Sequence, residues 1–210
     1  SFLTMEKCDA MLDSFERTMN DPSVRVWRDE LKADQRIFGI EKFSQDFQSF
    51  FADERLLKEH EAYIGRPVSA GFVMCNKITA VDGNKGSGNG WHRDSPFTHQ
   101  FKAIVYLSDV SAENGPFEYI SGTHKTECVL RASNSMGIES SVYRFNDERI
   151  KKLECSGFRK VTVTGRKGDL ILVDTKVIHR GSPILEGERY ALFNYYFKGV
   201  IPGHMKEFIN

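Results

Sequence analysis

The chain has 210 residues, enough for one large or two small domains. Of these, 40% are hydrophobic and 16 are phenylalanine, ample for a core and incompatible with a disordered chain. Lys+Arg and Asp+Glu both number 29, so the formal charge is zero and the usual electrostatic case for nucleic-acid or anionic-membrane binding is absent.

The N-terminal quarter reads as helical. Leu3, Met11, Leu12, Phe15 and Met19 recur at helical spacing among charges, and Asn20-Asp21-Pro22 stops the pattern. A second helix is expected from a Ser44 cap, with Phe47, Phe50 and Phe51 on one side. A third covers 54–64, ended by Gly65 and Pro67. From Val68 the segments become short, β-branched and aromatic. Strands are expected at 70–79, 101–108, 117–121, 158–164, 169–174, 176–179 and 189–198, punctuated by Asn114-Gly115, Gly165–Gly168 and Glu186-Gly187.

Many short strands behind a helical lead-in predict a mainly β fold. The architecture expected is an antiparallel barrel or jelly roll with the N-terminal helices packed on one sheet. We read 1–210 as a single domain with a helical flank over 1–67 and a jelly-roll core over 68–200. Residues 125–157 interrupt the strands, with a short helix near Asn146–Cys155, and read as an insertion able to act as a lid.

Cys8, Cys75, Cys128 and Cys155 form no Cys-x-x-Cys pair. That disfavours a disulfide framework or a structural zinc site and predicts a reducing, cytoplasmic setting. No apolar run approaches the roughly 20 residues needed to span a bilayer. No signal-peptide pattern opens the chain at Ser1, and a trimmed targeting segment stays open.

The stretch GWHRDSPFTHQFK places His92 and Asp94 two residues apart after a glycine-rich run. On a strand the two side chains share a face, about 7 Å apart at Cα, while Arg93 points away. A neutral imidazole and a carboxylate then lack one ligand of the two-His-one-carboxylate face used by non-haem Fe(II) oxygenases. By itself the tripeptide is weak evidence. His179 is the best third ligand, ending GDLILVDTKVIH before Arg180-Gly181-Ser182-Pro183; the alternative is a histidine exposed at a turn.

Together, GWHRDSPFTHQFKAIVYLSDVSAENGPFEYISGTHK and GDLILVDTKVIHRGSPILEGERYALFNYYF resemble the phytanoyl-CoA dioxygenase family of Fe(II)- and 2-oxoglutarate-dependent oxygenases. The resemblance spans roughly residues 70–198. A His-x-Asp, an ENGPFEYISGTHK block, a Gly-Asp-led strand, a distal histidine and a later arginine follow in order. It implies a double-stranded β-helix, cupin-like, in which His92, Asp94 and His179 bind Fe(II). It further implies that Arg189 holds the distal carboxylate of the co-substrate 2-oxoglutarate, that O2 is consumed, and that a substrate C–H is hydroxylated with release of succinate and CO2. Related halogenases lack the carboxylate ligand, so Asp94 favours hydroxylation.

The residues support Arg189 separately. It shares strand parity with Ala191 and Phe193, and a buried guanidinium there needs an anion. The alternative is pairing with Glu188 or Asp174. Ser182 is a second carboxylate contact if 185–187 forms a hairpin tip that sets it across from Arg189; otherwise it is a turn serine. Lys102 and Tyr106, of matching parity on the next strand, either reach the co-substrate or pack in the wall. His124 reads as a turn residue or a support for a ligand, His99 as a pocket residue, and His60 and His204 as surface or packing.

The 125–160 segment carries eight basic residues against five acids. Such a run is ordinarily a solvated face, but capping the site it would suit an anionic small-molecule substrate. Two other readings stay open: a cupin-type metal hydrolase or isomerase that does not use 2-oxoglutarate, and a non-catalytic jelly roll that binds a small molecule.

Overall fold

The computed structural model describes all 210 residues. Helix α1 (Met5–Met19) starts at Thr4, whose hydroxyl accepts the Lys7 N–H, and buries Cys8, Met11 and Phe15 on one stripe. Two short strands follow, β1 (Trp27–Arg28) and β2 (Asp34–Phe38). Helix α2 (Gln45–Phe51) is capped by Ser44, and α3 (Glu54–Ile64) by the Asp53 carboxylate. Gly65 closes α3 in the left-handed region at φ 75°, where its N–H reaches the Glu61 carbonyl.

The remaining elements are β3 (Ala70–Thr79), β4 (Phe101–Tyr106), β5 (Phe117–Ile120), α4 (Thr126–Met136), α5 (Asp147–Cys155), β6 (Lys160–Val163), β7 (Leu170–Asp174), β8 (His179–Gly181), β9 (Glu188–Phe197) and α6 (Gly203–Lys206). They form a six-stranded sheet, β1-β2-β3-β9-β4-β7, and a three-stranded sheet, β6-β5-β8. Every neighbouring pair is antiparallel. The chain is a jelly roll of the expected kind, with helices on the outer face of the large sheet. There Met11, Phe15, Phe47, Phe50 and Leu56 meet Val73, Cys75, Ala103, Val105 and Leu192 in one core. Burying a side chain such as Phe15 contributes about 2–3 kcal/mol before entropy.

The lead-in is not wholly helical, because β1 and β2 extend the large sheet at its edge. The inward positions of β2 are Asp34, Arg36 and Phe38, and the first two pair with each other. A strand that carries an ion pair inside lacks the apolar alternation by which strands are read.

The expected strand at 176–179 is a turn instead. The Asp174 carboxylate accepts the Lys176 N–H, its carbonyl accepts the Val177 N–H, and β8 starts only at His179. That turn carries the chain from the large sheet to the small one.

The insertion holds two helices, not one. Ala132, Met136, Ile150 and Leu153 from α4 and α5 pack with Trp91, Ile120 and Ile178 behind the small sheet. From 125–157 only Arg144 lines the cavity between the sheets, so this segment buttresses the small sheet and its helices do not roof the opening. Residues 198–208 run along the cavity mouth instead, fastened by a bridge from Ile209 to Phe38. No helix is long and apolar enough to cross a membrane.

Candidate metal centre

His92 lies between β3 and β4, where its backbone exchanges hydrogen bonds with His179 of β8, at 2.9 Å and 2.7 Å. Residues opposed in this way bring their side chains together on one face, and the ring centroids stand 4.3 Å apart. Asp94 shares the His92 face, with Oδ1 3.7 Å from His92 Nε2. One ligand atom from each of His92, Asp94 and His179 lies within 4.8 Å of the others. Metal bonds of about 2.1 Å set ligand atoms about 3 Å apart on one face, so small torsional adjustments close the triad.

The donor chemistry fits a divalent metal. His92 Nδ1 faces the Gly90 carbonyl and His179 Nδ1 the Val177 carbonyl, both at 2.9 Å. A carbonyl only accepts, so each Nδ1 carries the proton and each Nε2 keeps its lone pair free. Lys102 Nζ holds Asp94 Oδ2 at 2.5 Å and sits 4.0 Å from the centre of the Tyr195 ring, which leaves Oδ1 to the triad.

Burial would raise the Asp94 carboxyl, but Lys102 and the two histidines pull it well below the usual range. Burial and the neighbouring His179 push His92 down to about 3, and burial lowers His179. Both imidazoles are therefore neutral and ready to ligate near pH 7.

The sign of the pH dependence follows. Both histidines are lowered on folding, so the unfolded chain binds their protons first as pH falls below about 6.5. The metal-free protein is expected to lose on the order of 1 kcal/mol per pH unit between pH 6.5 and 5. Urea midpoints at the two pH values measure this, and equal midpoints would contradict the neutral pair.

The glycine run ahead of the triad has a steric reason. Gly88 is at φ +83°, and an added Cβ would stand 2.2 Å from His92 Cε1. Gly88→Ala is expected to displace the ring and weaken Mn(II) or Fe(II) binding about tenfold to a hundredfold. Anaerobic metal titration reads this, and unchanged affinity would show that the ring is not held there.

A cavity of about 700 Å³ opens at the triad. Arg189, Ala191, Phe193, Tyr195 and Phe197 of β9 line it, as do Lys102, Ile104 and Tyr106 of β4, so the expected strand parities hold. Arg189 is 3% exposed. Its Nη1 donates to the Gly115 carbonyl, its Nε has no partner, and no carboxylate pairs with it, neither Glu188 nor Asp174. Burial lowers its pKa. A buried fork with an unused donor fits an incoming carboxylate.

Tyr106 also borders the cavity, but its hydroxyl donates to the Val163 carbonyl and accepts the Phe117 N–H. Ser182 does not lie across from Arg189. Strand β8 pairs with β5 while β9 lies in the other sheet opposite β3, so no 182–189 hairpin forms. The Ser182 hydroxyl donates to the Pro116 carbonyl, and Ser182 is not among the lining residues.

His99 lines the cavity with Nδ1 bonded to Asp174, and His204 borders it at the C-terminal rim. His60 is buried edge-on against Phe101 and Tyr196. Arg93 does point away, into the core beside Phe145, where burial lowers it to about 10. Sequence reasoning missed Arg36 and the C-terminal rim. The first lies on an unrecognised strand, and the second has no periodicity. Tyr195 was legible, since it shares the parity of Arg189.

A jelly roll with a two-His-one-carboxylate face and a buried arginine in the same cavity defines the class as a cupin-like metal enzyme. The sequence matches the phytanoyl-CoA dioxygenase family over residues 1–187, and the chain belongs to that family of iron- and 2-oxoglutarate-dependent enzymes of oxygenase type. Among curated proteins none matches the chain.

Solved structures of similar fold include HygX from Streptomyces hygroscopicus with nickel, 2-oxoglutarate and hygromycin B bound. It has 20% identity and a TM-score of 0.65, with 93% of this chain and 79% of that one covered. The 2-oxoglutarate-dependent epimerase SnoN from nogalamycin biosynthesis is 17% identical with a TM-score of 0.67, covering 96% and 83%. The carbocyclase SnoK from the same biosynthesis is 16% identical with a TM-score of 0.66, covering 98% and 83%.

Proposed function

We propose that the protein is an Fe(II)- and 2-oxoglutarate-dependent dioxygenase that hydroxylates an aliphatic C–H of a small molecule. The observation that carries this reading is the pairing, in one cavity, of the His92–Asp94–His179 face with the buried Arg189, which has no carboxylate partner and an unused Nε. Iron bound there with 2-oxoglutarate would supply an oxidant from O2, with release of succinate and CO2.

The chain's own residues do the rest. His92 and His179 present Nε2 with their tautomers fixed by backbone carbonyls. Lys102 is a positioning residue that turns Asp94 Oδ1 toward the metal by holding Oδ2. Arg189 grips the distal carboxylate of 2-oxoglutarate, while Tyr106 and Ser182 stiffen the wall through their bonds to Val163, Phe117 and Pro116. Ile104, Phe117 and Phe193 line the cavity with apolar surface, which keeps water from the reacting carbon.

Fold neighbours that carry out epimerisation and carbocyclisation make the outcome the point to test. A metabolite library is screened for compounds that stimulate succinate formation, and each hit is turned over under 18O2. Hydroxylation places one labelled atom in succinate and one in the product. Labelled succinate with an unlabelled, isomerised or cyclised product would reject hydroxylation, and succinate-free turnover would reject the oxygenase altogether.

A further inference from the structure

We propose that the cavity takes a substrate bearing a carboxylate or phosphate on an apolar body, and that Arg144 receives this anion beside the metal centre. The inference rests on the oxygenase reading above and names the substrate class for that site.

Five cationic side chains line the cavity, Arg36, Lys102, Arg144, Arg189 and Lys198, against one carboxylate, Asp94. Two of the cations are neutralised internally, Arg36 by Asp34 and Lys102 by Asp94. Arg189 is assigned to the co-substrate. Arg144 and Lys198 remain, and neither has a carboxylate partner.

Arg144 is placed by the fold and is not simply a solvated surface charge. It pairs antiparallel with His92, and the pairing is held by Phe145 N–H to the Trp91 carbonyl and Arg93 N–H to the Tyr143 carbonyl, each at 2.9 Å. Residues opposed across such a pair share a face with Cβ atoms about 5 Å apart, so Arg144 stands on the same side as the metal-facing imidazole. Its Nη1 donates to the Gly88 carbonyl at 2.7 Å, and that tether fixes the guanidinium at the cavity wall. Its Nε and Nη2 have no protein acceptor, and the side chain lines the cavity while staying exposed to solvent. A planar fork with free donors recognises carboxylate or phosphate oxygens.

The rest of the cavity suits the other half of such a molecule. Phe38, Phe193, Phe197, Met205 and Phe208 line it with aromatic and thioether surface. The favoured substrate therefore carries its charge near the metal and its apolar body against this wall.

The test uses protein loaded with Ni(II) and saturating 2-oxoglutarate, so that the Arg189 site is filled and no turnover occurs. Phenylacetate and its uncharged analogue phenylacetamide are titrated by calorimetry. Phenylacetate is expected to bind at least about tenfold more tightly, the scale of one charge-assisted bond. Arg144→Gln is expected to erase that preference and Arg144→Lys to restore part of it, with thermal midpoints confirming that both variants fold. Equal binding of the two probes, binding of neither, or a preference untouched by Arg144→Gln would overturn the proposal. If the Ni(II) protein takes up no 2-oxoglutarate, the oxygenase reading fails on that measurement, and the phenylacetate preference then tests Arg144 alone.

Discussion

Replacing His179 with alanine is expected to abolish iron-dependent turnover, with a loss of about a thousandfold or more, while the protein stays folded. Altering a residue that merely supports a metal ligand costs about tenfold to a hundredfold in affinity or activity, and His179 is proposed to be a ligand itself. The substitution is also clean. The backbone bonds between residues 92 and 179 do not use the side chain, and Phe117, whose ring centre lies 5.4 Å from that of His179, keeps the wall in place.

Asp94→Ala is a poorer probe of the same claim. It strands Lys102, 6% exposed at the side chain, and removing one partner of a buried pair costs about 3–5 kcal/mol. Iron binding measured alongside thermal unfolding separates the two effects. Iron affinity retained in folded His179→Ala would remove this histidine from the triad.

Replacing Arg189 with methionine is expected to weaken 2-oxoglutarate binding about a hundredfold, the scale of a two-pronged charge-assisted contact. The same change should leave the thermal midpoint of the co-substrate-free protein unchanged or raise it. Arg189 is buried with an unpaired Nε and no carboxylate partner, so in the resting protein its charge costs stability that only an incoming anion offsets. A purely structural arginine would behave in the opposite way, with a lower midpoint and unaltered co-substrate affinity. Arg189→Lys retains the charge but loses the fork, and should fall between the two.

The parts that could be read from residues alone are those with strict periodicity. The alternation in RYALFNYYF put Arg189, Ala191 and Phe193 on one face, and these residues line the cavity. The Ser44 cap and the Gly65 stop marked α2 and α3 because local hydrogen bonds decide those positions. Strand β2 stayed hidden because Asp34 and Arg36 compensate each other inside the sheet. Helix α4 was hidden because TECVLRASNSM has modest helix propensity and is stabilised by burial against distant residues of the small sheet.

Ser182 shows the limit of reasoning by loop length. A short connection suggested a hairpin, whereas the chain passes from one sheet to the other between β8 and β9. Sequence spacing placed the two ends of the site, His92 with Asp94 and His179 with Arg189, but only the facing of the two sheets brings them into one cavity.

Anaerobic addition of Fe(II) and 2-oxoglutarate to the purified protein, followed by its visible spectrum, tests the central claim most directly. A weak charge-transfer band that saturates at one iron per chain, is absent in His179→Ala, and needs far more 2-oxoglutarate in Arg189→Met is the predicted result. Tight iron binding with no band at saturating 2-oxoglutarate would contradict it, and would leave a metal enzyme of another kind.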